Sequence, residues 1–110
     1  MEYQHKSLAN GRWQKLSVFE QMAKIGSEVE RAIKWKNKNN TQYCRMAFER
    51  ALELLDLTVD NEKNGNHLRE LLRLREVLVD YFAFENIYGS SDQKWHNYFY
   101  AFSFAARLNH

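Results

Sequence analysis

No proline occurs in the 110 residues, so no position forbids an uninterrupted helix. A single cysteine, Cys44, excludes an internal disulfide framework and fits a reducing compartment. The longest stretch without a formal charge, Trp95 to Ala106, falls well short of the ~20 apolar residues that span a bilayer. Met1 to Arg12 lacks the apolar centre of a secretory leader, and the expectation is a soluble, cytoplasmic protein with no membrane contact. Net charge is scarce as well. Sixteen Lys and Arg against fourteen Asp and Glu leave +2, too little by itself to argue for nucleic acid, although residues 1–55 balance at +4 and residues 56–110 at −2. Diagnostic catalytic and metal motifs are also missing: there is no phosphate-cradling glycine loop, no G-x-S-x-G, no H-E-x-x-H and no C-x-x-C. His5, His67, His96 and His110 have no ligand spacing with one another or with Cys44, so neither cofactor nor metal is expected.

What is abundant is apolar and aromatic. Hydrophobic residues make up 45% of the chain and aromatics 15%, enough for one helical domain over residues 1–110 with a core of its own. Gly11, Gly26, Gly65 and Gly89 fall mostly where apolar periodicity breaks, and that punctuation predicts four helices, near 17–38, 41–59, 66–86 and 91–108, after a partly ordered arm over 1–16. The fold class is therefore all-α, a mostly antiparallel four-helix bundle. Ser17 and Glu20 form a capping box at the first start, and Ser90 with Gln93 repeats the spacing at the fourth. Helix one carries Phe19, Met22, Gly26, Val29 and Ile33 on one face. Helix two buries Cys44, Ala47, Phe48, Ala51, Leu54, Leu55 and Thr58, with Glu49, Glu53, Asp56 and Asp60 outward. Helix three has Leu68, Leu71, Leu72, Leu78, Val79 and Phe82 as its primary stripe, and a second strip besides, so it is either central or faces a partner.

Residues 28–56 resemble a single tetratricopeptide-type helical hairpin. Ala32 and Trp35 on the first helix, Asn39 at the turn, then Cys44, Phe48 and Ala51 carry the likeness, while Asp56 stands where that pattern has proline. With no second copy to stack on, the resemblance implies an antiparallel hairpin.

The aromatic surplus is the strongest functional signal. Leu74, Val77, Tyr81 and Phe84 on helix three, with Tyr100 and Phe104 on helix four, lie off the primary stripes, and an extra apolar strip on a soluble bundle marks a protein interface. The leading expectation is a non-enzymatic interaction module, a homo-oligomer built through that strip, with another protein as the alternative partner. Glu30 and Arg75 interrupt apolar faces and are expected to form a buried pair. Arg31, Lys34, Lys36, Lys38 and Arg45, interleaved with Trp35 and Tyr43, are candidate phosphate contacts for a nucleic-acid-associated accessory protein. A third class is a small all-α Mg²⁺-dependent nucleotide or RNA hydrolase using Glu53, Asp56, Glu76 and Asp80.

Overall fold

The computed structural model describes residues 11–61 and 65–108; residues 1–10 of the expected arm, and with them His5, lie outside the described residues, as does His110. Four helices, α1 (Val18–Asn37), α2 (Thr41–Asn61), α3 (Leu68–Ala83) and α4 (Asp92–Leu108), build an all-α, mostly antiparallel bundle with no strand among the described residues. Helix α1 starts where local chemistry says it should. The Ser17 side chain accepts from the Glu20 N–H at 3.1 Å, and the Glu20 carboxylate accepts from the Ser17 N–H at 3.2 Å, which satisfies two of the amide donors a helix start leaves open. Asn39 takes a left-handed φ of 59°, and the Asn40 side chain accepts from the Tyr43 N–H at 3.0 Å. Those two residues turn α1 back into α2 as a hairpin.

The central helix is α1, not α3. Helix α1 packs against both α2 and α4, while the main backbone neighbour of α3 is α2. Ile25 and Ala32 are buried beside Met22, Gly26, Val29 and Ile33, so α1 hides two faces rather than one. Gly26 makes this possible: a Cβ there would sit 2.8 Å from the Phe99 side chain, so only glycine lets α4 approach this closely. Helix α2 likewise serves two neighbours, and Glu53, expected on its outer face, is buried. Ahead of α1, a 3-10 turn at Trp13–Lys15 drops Trp13 into the core, where its Nε1–H donates to Thr58 Oγ1 at 2.9 Å. The fourth start is shifted by one residue from the expected box, because the Ser91 hydroxyl accepts from the Lys94 N–H at 3.1 Å.

Candidate interaction surface

The apolar strip expected on helices three and four divides in the folded chain. Leu74 is buried, and Val77 and Tyr81 are packed against the core, with the Tyr81 ring 6.2 Å from Trp95. Phe84, Tyr100 and Phe104 are exposed, but Phe84 and Tyr100 line different hollows. Tyr100 and Phe104 stack with ring centroids 6.3 Å apart. One continuous strip is therefore replaced by two separate patches. The reason is the rotation of α3 about its axis: Leu71, Leu74 and Leu78 face inward, and Leu72 and Val79, expected in the core, border solvent. At 100° per residue a rotation of roughly 60° about the axis keeps Leu71 and Leu78 inward, brings Leu74 in and turns Leu72 and Val79 out, and neighbouring helices rather than the sequence pattern set that angle.

The larger patch is a groove of about 520 Å³ along the outer face of α3 and the loop after it, lined by Leu72, Arg75, Val79, Phe84, Ile87 and Tyr88 among others. Phe84 is 72% exposed and Ile87 77% exposed. Their exposure is built in. The Asp80 carboxylate, itself buried, accepts from the Ile87 N–H at 3.0 Å and the Tyr88 N–H at 3.1 Å. Asn86, at a left-handed φ of 57°, closes the loop by accepting from the Ser90 N–H at 2.8 Å and donating to the Ser90 carbonyl at 2.9 Å. A loop tied down by four side-chain bonds holds Phe84 and Ile87 outward as fixed features of the surface.

Glu30 and Arg75 do not pair with each other. Glu30 lies on the α4 side of α1, its carboxylate 2.6 Å from His96 Nδ1, and Arg75 Nε donates to Asp56 at 2.8 Å. Both pairs are partly exposed, because each charge sits at the rim of its helix contact and takes a partner from the adjacent helix. The charge that α1 does bury is Glu28, which accepts from Arg31 at 2.6 Å and Arg50 at 3.0 Å.

The basic segment is largely committed within the chain. Arg31 is held by Glu28, and Lys36 Nζ bonds both Tyr81 Oη and Asp92 Oδ1 at 2.8 Å. Lys34 and Lys38 sit over the Trp35 ring at 5.3 and 5.4 Å, and Arg45 borders a hollow between α2 and α3. The four acidic candidates also separate. Asp56 is taken by Arg75, Asp80 by backbone N–H groups, and Glu76 lies 3.5 Å from Arg73, while Glu53 is buried in α2. Among the described residues no three His, Cys, Asp or Glu side chains group as metal ligands. Cys44 is half-buried, and that burial raises its thiol pKa against the lowering influence of Lys36, away from a reactive thiolate.

Lys36, Tyr81 and Asp92 latch the ends of α1, α3 and α4 together, with the Tyr81 hydroxyl donating to Asp92 and Asn37 adding a bond at 3.1 Å. Burial alone would raise the Asp92 pKa, but the bonds from Lys36, Tyr81 and Asn37 outweigh it and hold the carboxyl down at about 2. A depressed folded-state pKa contributes stability that is present above the ordinary value of 3.8 and is lost as pH falls through about 2. Acid titration of the unfolding midpoint is therefore expected to fall in that window for the wild type and to lose that component in Asp92→Asn. Parallel curves for the two proteins would contradict the latch.

No helix among the described residues is long and apolar enough to cross a membrane. Comparison with protein-family models, with curated proteins and with solved structures finds no match to this chain.

Proposed function

We propose that the chain is a non-enzymatic helical protein-interaction module that forms a homo-oligomer through the outer face of α3 and the loop behind it. The observation that carries this reading is the pair Phe84 and Ile87, held open at the groove by Asp80. Anchored aromatic and aliphatic side chains beside a preformed groove are what a protein partner buries, and their ordering cost is met before binding. The free Cys44 thiol supports a cytoplasmic setting. Light scattering across the micromolar range tests self-association. A mass of two chains that falls to one on dilution is the expected result, and one chain at every concentration overturns the proposal.

A second reading, a nucleic-acid-associated accessory protein, rests on Trp35 flanked by Lys34 and Lys38 with Tyr43 edge-on at 4.9 Å. A stacking ring between two cations suits a single-stranded base and its phosphates. Retention on heparin that weakens steeply with salt would favour it; absence of retention at low salt removes it.

A further inference from the structure

We infer that the hollow beside Trp35 is a site for a guanine base and its phosphate, in which Arg50 reads the edge of the base and Lys34 and Lys38 meet the phosphate. This rests on the nucleic-acid reading above and names the base. The hollow, of about 300 Å³, is lined by Trp35 from the last turn of α1 and by Tyr43, Met46 and Arg50 from the first half of α2. Tyr43 and Met46 are exposed beside it. The Trp35 and Tyr43 rings stand nearly perpendicular, at 78° with centroids 4.9 Å apart, so a flat ligand stacked on one meets the other with its rim. Lys34 and Lys38, exposed and 5.3 and 5.4 Å from the Trp35 ring centre, supply the charge that a phosphate beside a stacked base requires.

Stacking accepts any base, and Arg50 makes the choice. Glu28 is buried and divides its two oxygens between Arg50 Nε, at 3.0 Å, and Arg31, at 2.6 Å. The carboxylate therefore fixes the half-buried Arg50 guanidinium and, shared by two cations, does not repel a phosphate. Because Glu28 takes Nε, the terminal Nη groups of Arg50 carry no acceptor among the described residues and remain as a planar fork in a side chain that lines the hollow. Such a fork fits two adjacent acceptors in the plane of a ring. Guanine presents O6 and N7 in that arrangement, adenine sets its amino donor where O6 would be and is turned away, and the pyrimidines offer a smaller face to stack. A lone carboxylate would suit the fork and leave both rings without a partner.

Fluorescein-labelled single strands UUGUU, UUAUU, UUCUU and UUUUU, read by anisotropy at low salt, test the assignment. The strand with guanine is expected to bind about tenfold more tightly than the other three. Arg50→Lys keeps a cation for Glu28 but loses the fork, and is expected to bring the four strands to one affinity with the steep salt dependence retained. Tyr43→Leu, at an exposed position, is expected to weaken all four and keep their order. Unlabelled guanosine monophosphate as competitor separates the sources of the base: displacement at the dissociation constant of the strand assigns a free nucleotide, and displacement only at far higher concentration assigns the strand. Strands that bind without base preference, or a preference for guanine that survives Arg50→Lys, overturn the guanine site and leave the nucleic-acid reading standing. No binding of any strand or of the nucleotide overturns both.

Discussion

Trp13→Ala lowers the unfolding free energy by about 3–5 kcal/mol, a large share of the ~5–15 kcal/mol typical of a domain. The indole has no solvent exposure, its Nε1–H donates to Thr58 Oγ1, and its backbone carbonyl accepts from Gln21 Nε2 at 2.9 Å. Truncation removes the ring from its place in the core against α2 and leaves a cavity there. Thr58 is not orphaned by the change, because its hydroxyl also donates to the Leu54 carbonyl at 3.0 Å. The loss is therefore one of packing rather than of hydrogen bonding, and Trp13→Phe recovers most of it. Urea unfolding followed by far-ultraviolet circular dichroism measures both variants. A cost below about 1 kcal/mol for Trp13→Ala would mean that the 3-10 turn is not part of the cooperative core.

Phe84→Lys weakens self-association by about a thousandfold and leaves stability nearly unchanged. Its side chain stands past the end of α3 and is mostly exposed, so the fold does not depend on it. In a two-fold contact each substitution acts twice, and two losses of about 2 kcal/mol give roughly three decades in affinity. Sedimentation equilibrium supplies the dissociation constant. Tyr100→Lys, on the other exposed patch, is the control and leaves that constant where it was. If the effects are reversed, the stacked Tyr100 and Phe104 pair forms the contact instead.

Features set within one turn of chain were legible in the sequence. The Ser17 and Glu20 box and the turn at Asn39 and Asn40 depend on residues three or four apart, and they form as read. Features set by a neighbouring helix were not. A single stripe through Phe19, Met22, Gly26, Val29 and Ile33 gave no sign that Ile25 and Ala32 face a second neighbour, because the close approach of Phe99 to Gly26 is a tertiary event. Glu30 and Arg75 were each judged within one helix, and their partners, His96 and Asp56, come from adjacent ones. Asp80 was an acidic candidate for a hydrolase site, whereas its acceptors are used by backbone N–H groups seven and eight residues onward. The usable signal was Ile87 and Tyr88 in an otherwise polar connection, since two apolar residues in a turn need either a core or a partner. Of the expected strip Phe84, Tyr100 and Phe104 are exposed, whereas Leu74, Val77 and Tyr81 turn toward the core.

The most direct measurement is a distance between copies. With Cys44→Ser removing the native thiol, a spin label at Arg73→Cys marks the edge of the α3 face, and one at Phe104→Cys marks the other patch. Self-association through α3 predicts a short, sharply defined separation for the label at position 73, near the ~8–10 Å between packed helices plus the reach of the labels, and a long one for position 104. A short separation at 104 with none at 73 would contradict it.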